Sequence, residues 1–85
     1  MNNKLDRFLK KALDKMFTYA GFDSFNEQFT KENEDWYNKK TWSEDQSNEF
    51  KSWFISEGQK DLKLTKKAME KEYSWFYLKW GWKTL

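Results

Sequence analysis

Aromatic side chains have to build the core of this chain, because almost nothing else is present to do it. Of the 85 residues, 18 are Phe, Trp or Tyr, whereas valine is absent and Ile55 is the only isoleucine. A buried aromatic ring removes on the order of 150–250 Å² from water, so a handful can supply a core for a domain this small. The β-branched residues that favour strands are replaced by Lys, Glu, Asn and Phe. That exchange predicts helices.

The stretch from Thr65 to Trp82, TKKAMEKEYSWFYLKWGW, is the anchoring element. Thr65 can cap a helix by offering its hydroxyl to a free backbone N–H, and Gly81 can take the left-handed conformation that commonly ends one. Met69, Tyr73, Phe76 and Trp80 fall at i, i+4, i+7 and i+11, on one side of a helix. Trp75 and Leu78 then point away from that side, with Tyr77 or Trp82 at the rim. Their surplus is the main functional lead.

Upstream, Leu5, Phe8, Leu9, Ala12, Leu13, Met16, Tyr19 and Ala20 repeat at three and four residues. They predict an amphipathic first helix ended by Gly21, after a frayed Met1 to Lys4, with Lys4, Arg7, Lys11 and Lys15 opposite. Ser24-x-x-Glu27 reads as a capping box opening a second helix, with Phe25, Phe29 and Trp36 on one side. Its polar middle leaves its far end open. Phe22 beside Phe25 is expected to pin the corner between these helices.

Residues 37–43 form the expected connection. Thr41-x-x-Glu44 and Ser43-x-x-Gln46 both fit a capping box, so a third helix starts there in either register. Phe50, Trp53 and Phe54 make its apolar stripe, Ile55 points elsewhere and Gly58 stops it. Leu62 and Leu64 are expected to pack as the chain turns into the last helix. The chain is thus read as one all-α domain over residues 1–85, a compact bundle of three to four short helices.

Charge is unevenly spread. Residues 1–22 carry +3, 23–49 carry −5 and 50–85 carry +4, against a net of +2. Intramolecular pairing between the basic arms and the acidic middle is the simplest expectation. Cysteine and histidine are both absent, which excludes disulfides, thiolate metal sites and the usual zinc ligand and general base. No glycine-rich phosphate loop or EF-hand spacing occurs. Glu72 borders the apolar face of the last helix and is expected to reach a lysine there rather than to act as a catalytic acid. The expectation is therefore a non-enzymatic protein without metal or cofactor. With no apolar run approaching 18 residues and no charged-then-apolar leader, a soluble protein of the cytoplasm without membrane contact is expected.

The pattern Leu64-Thr65-Lys66-Lys67 leading to Trp75-Phe76-x-Leu78-x-x-Gly81-Trp82-Lys83, with Thr41-Trp42-Ser43-Glu44 and Phe50-x-x-Trp53 upstream, resembles small uncharacterised proteins encoded by tailed bacteriophages. The resemblance covers roughly the C-terminal half. It implies a helical accessory protein made during infection, of a kind that often binds and inhibits a host enzyme or defence system. Many DNA-mimicking inhibitors are strongly acidic, and the slightly basic balance here counts against mimicry.

The first reading is therefore a protein that binds a host protein through Trp75, Leu78 and Trp82, joined by Tyr77 and Trp42, since Trp and Tyr serve well as interface anchors. A homodimer through the same surface is an intermediate case, and a self-associating bundle with no other partner is a third possibility. The alternative is a nucleic-acid-binding module in which Trp80 and Trp82 stack bases while Lys79 and Lys83 meet phosphates.

Overall fold

A computed structural model describes residues 3–85. It is an all-α bundle of five helices with one very short sheet. The order is α1 (Asn3–Thr18), α2 (Glu27–Glu32), α3 (Glu34–Lys39), β1 (Thr41–Trp42), α4 (Glu44–Leu62), α5 (Lys66–Trp80) and β2 (Lys83–Thr84). Lys4 lies within α1 rather than in a frayed end, and Met1 and Asn2 fall outside the described residues.

The helix starts follow local chemistry. Ser43 accepts from the Gln46 backbone N–H while the Gln46 side chain accepts from the Ser43 N–H, which selects the Ser43 register for α4. The Thr65 hydroxyl accepts from the Ala68 N–H at the head of α5. For α2 the cap is Asn26, whose side-chain oxygen accepts from the Phe29 N–H, and not Ser24. Just before this cap, the Phe25 N–H donates to the Asp14 carboxylate of α1 at 2.7 Å, which ties the approach to α2 onto the first helix. The polar middle of the second helical stretch breaks at Asn33, giving two one-and-a-half-turn helices where one was expected.

Gly58 corrects the sequence reading most clearly. It lies inside α4 and is buried there, because Met69 packs onto it; α4 continues to Leu62 and ends at Lys63, which takes φ 54°. Gly81 does end α5, but at φ −62°, with its N–H donating to the Tyr77 carbonyl. What requires glycine there is the Tyr77 ring lying over it, 2.5 Å from where a Cβ would stand. Gly21, at φ 87°, follows the turn that closes α1.

α4 is the central helix. Phe8 of α1 meets Phe54 at 5.0 Å between ring centroids, and Tyr19 meets Phe50 at 6.4 Å. On the other flank Tyr73 meets Phe54 at 5.2 Å and Phe76 meets Phe50 at 5.7 Å. Both neighbours therefore run antiparallel to α4. Trp53 stacks on Phe8 and Phe50 from a half-buried position, and Ile55 is buried as well. Leu62 packs against the core, but Leu64 is exposed.

A second aromatic cluster is organised by Phe17, 1% exposed, whose ring touches those of Phe22, Phe25, Trp36, Tyr37 and Trp82. It holds α2 and α3 against the end of α1, and Phe22 packs on Phe29 and Trp36 at the expected corner. β1 and β2 close this end of the molecule as a parallel pair, with Thr41 opposite Lys83 and Trp42 opposite Thr84. The Leu85 N–H extends the pairing by donating to the Trp42 carbonyl.

The expected pairing between basic arms and acidic middle does not occur. Lys11 of α1 reaches Glu57 and Asp61 of α4 at 2.7 and 3.0 Å, and Lys31 pairs with Glu27 inside the middle segment. Among the described residues no ion pair joins 23–49 to either basic arm. Antiparallel packing is the reason: it gathers the N-termini of α1 and α5 at the C-terminus of α4, away from α2, α3 and the acidic start of α4.

Candidate functional site

α5 buries Met69, Tyr73 and Phe76 and half-buries Tyr77 and Trp80. Its outward side carries Lys67, Lys71, Trp75, Leu78 and Lys79, all exposed. Lys67, Lys71, Trp75 and Lys79 succeed one another at four-residue steps, so they form one line along the helix, with Leu78 beside Trp75. Trp75 is 64% exposed and Leu78 80%. None of these lysines makes an ion pair among the described residues.

Beside the exposed pair runs a groove of about 470 Å³ between α5 and α1. Leu9 of α1 and Phe76 form its apolar base, Trp75, Leu78 and Trp80 its walls, and Glu72 and Lys79 its polar edge. Glu72 is half-buried here and, among the described residues, makes no ion pair with a lysine, contrary to the sequence expectation. Phe76 is held by Phe50 and Phe54 from beneath, so the base of the groove is part of the core and rigid.

The structure separates the residues that the sequence grouped as anchors. Trp75 and Leu78 stand together in solvent. Trp82 and Trp42 do not join them: each is only 2% exposed, and their rings meet at 5.3 Å inside the core. The reason is the β1–β2 pairing, which draws the chain after Gly81 back under the bundle and seats Trp82 against Phe17 and Trp36. Tyr77 turns the same way, donating its hydroxyl to the Trp82 carbonyl. Leu9 of α1 was not singled out as a site residue in the sequence, since it belongs to the regular apolar stripe; in the fold it is half-buried and lines the groove.

Of the two rings named for base stacking, one is buried and the other half-buried. Trp82 is enclosed, and Trp80 has its ring against Phe25 and Tyr37, with Lys79 Nζ 5.2 Å from its centroid. Tyr37 donates to the Trp80 carbonyl, which ties α3 to the end of α5. Burial holds the Tyr37 phenol well above its ordinary pKa, and burial with the neighbouring Tyr77 pushes Tyr73 up to about 12. These are core phenols, not candidate acids. Among the described residues no group of three or more acidic side chains is placed to hold a metal ion, and no helix is long and apolar enough to cross a membrane. Comparison with protein families, with curated proteins and with solved structures returned no match for this chain.

Proposed function

We propose that this protein is a non-enzymatic binding protein that docks a partner protein on the outward side of α5, at the groove between Leu9 and Trp75. The observation that carries the reading is the exposure of Trp75 and Leu78 side by side over a base that belongs to the core. A chain that encloses five of its six tryptophans wholly or partly has the means to enclose the sixth. Covering the pair would remove roughly 300 Å² of apolar surface, worth about 7 kcal/mol at about 25 cal/mol per Å². That gain is comparable to the cost of association, so the pair alone does not bind tightly. The partner must also fill the groove and engage the rim.

The rim is net basic: Lys71 and Lys79 are exposed and without an ion-pair partner among the described residues, against one half-buried carboxylate, Glu72. The fitting partner presents a bulky apolar side chain surrounded by acidic residues. The resemblance to phage-encoded accessory proteins supports a host protein in that role, with the host cytoplasm as the place of action.

The test is affinity capture from a nuclease-treated host lysate, with wild-type protein and Trp75→Ala as parallel baits and washes at moderate and high salt. The expected result is a host protein retained at high salt by the wild type and lost by the variant. Equal capture by both baits would place the partner elsewhere. A concentration-dependent dimer that Trp75→Ala dissolves, with no heterologous protein captured, would assign the face to a second copy of the chain.

A further inference from the structure

Antiparallel packing brings three basic chain segments to one end of the bundle. The N-terminus of α1, the C-terminus of α4 and the N-terminus of α5 meet there, as the Lys11 bridges to Glu57 and Asp61 and the Met69–Gly58 contact show. Lys4 and Arg7 stand beside Asp61 on one side of this end. Lys60, Lys63, Lys66 and Lys67 stand at the α4–α5 turn, all exposed. Glu57 and Asp61 are already engaged by Lys11, which leaves none of the six with an ion-pair partner among the described residues.

Two of these placements run against local stability. Lys66 and Lys67 occupy the first turn of α5, which holds no acidic residue, and the helix dipole disfavours cations there. Lys63 takes a left-handed conformation, φ 54°, that glycine or asparagine would adopt at less cost. Positive charge is thus concentrated at this end at some expense to the fold. Opposite lie α2, α3 and the start of α4, which carry the acidic residues of the chain's middle.

We infer that this basic end is a second interaction surface, which contacts the phosphodiester backbone of a nucleic-acid duplex without reading its sequence. The distribution of apolar groups decides for nucleic acid over an acidic protein. A protein partner needs buried anchors, and among the described residues Leu64 is the one exposed large apolar side chain at this end, since Trp75 and Leu78 lie two to three turns further along α5. Phosphate contacts need only point charges on flexible stems, which is what lysines supply. The inference is independent of the groove, and it makes the protein a two-surface adaptor between a protein and nucleic acid.

Fluorescence anisotropy with a labelled random-sequence DNA duplex of about 20 base pairs tests it. Binding is expected with Kd on the order of 10⁻⁵ M at low salt, weakening along a log–log salt slope of about −3.5 to −5.5 as about four to six phosphates are contacted. The variant Lys66→Glu/Lys67→Glu is expected to lose at least about tenfold in affinity and to flatten the slope by about 2. Acidic residues suit the first turn of a helix, so this variant melts no lower than wild type, and lost binding cannot be ascribed to lost folding. Trp75→Ala should bind the duplex as wild type does, which separates failure of this inference from failure of the groove. No saturable signal up to about 10⁻⁴ M overturns the inference. So does a wild-type affinity in the double variant, or displacement of the duplex by polyglutamate at equal charge, which would reassign the surface to acidic polypeptides.

Discussion

Met69 rests its thioether end on the backbone of Gly58, so closely that a Cβ at Gly58 would stand 1.9 Å from the Met69 methyl carbon. Met69 is fully buried, and the contact sets how near α5 comes to α4. Gly58→Ala gains helix propensity of about 1 kcal/mol but forces Met69 into an already filled core, at about 1–3 kcal/mol. A lower melting temperature is expected on balance. Adding Met69→Ala to Gly58→Ala should cost less than the two single changes together, and a double-mutant cycle reads that coupling.

Phe76 and Trp53 differ in burial although both sit on apolar stripes. Phe76 is 5% exposed and packed on Phe50 and Phe54, so Phe76→Ala is expected to cost about 3–5 kcal/mol. Trp53 is half-buried, and Trp53→Ala is expected to cost less than Phe76→Ala. Denaturant titration of the two variants checks the order, and a reversed order would mean that the stacking of Trp53 on Phe8 matters more than its burial.

Trp82 and Trp42 each bury an indole N–H that finds no acceptor among the described residues. An unmet buried donor costs free energy, so part of what either ring contributes is lost on its own nitrogen. Trp82→Phe removes that donor while keeping a ring against Phe17. It should destabilise by well under half of the 3–5 kcal/mol expected for Trp82→Ala. Equal losses in the two variants would show that the indole nitrogen is satisfied in solution.

Three phenols tie the fold to alkaline pH. Burial raises Tyr37, burial and Tyr77 raise Tyr73 to about 12, and burial with Glu49 raises Tyr19 to about 12. Above pH 10 the unfolded chain sheds these protons while the folded chain keeps them. Stability is therefore complete below pH 10 and falls as pH rises from there towards 12. Urea titrations between pH 8 and 11.5 should show the decline. Tyr37→Phe should be less stable than wild type at pH 8, by about 1 kcal/mol for its lost hydrogen bond, with the gap narrowing as pH rises. A wild-type stability that stays flat to pH 11.5 would contradict the assignment.

Much of the fold was legible because its signals are local. The stripe of α1, the Ser43 and Thr65 caps and the face of α5 formed by Met69, Tyr73 and Phe76 depend on residues within a few positions of one another. Three features are not local and were not legible. Phe17, four residues after Leu13, lies at the edge of the α1 stripe, and only the arrival of α2, α3 and Trp82 makes it the centre of a cluster. Gly58 looks like a stop in sequence, and becomes a contact point only once Met69 is placed. The β1–β2 pairing joins residues 42 positions apart, with no strand pattern at either, and it is what moves Trp42 and Trp82 from the expected binding face into the core. The exposed pair was legible in part, since Trp75 and Leu78 follow from helical spacing, while the Leu9 side of the groove does not.

The central claim is that Trp75 and Leu78 serve a partner and not the fold. The thermal melt of Trp75→Ser/Leu78→Ser tests it most directly, with Phe76→Ala as reference. A midpoint within about 4 °C of wild type is expected, since surface changes of this kind stay within about 0.5 kcal/mol. A drop as large as that of Phe76→Ala would place both side chains in the core and leave the outward side of α5 with no partner to bind.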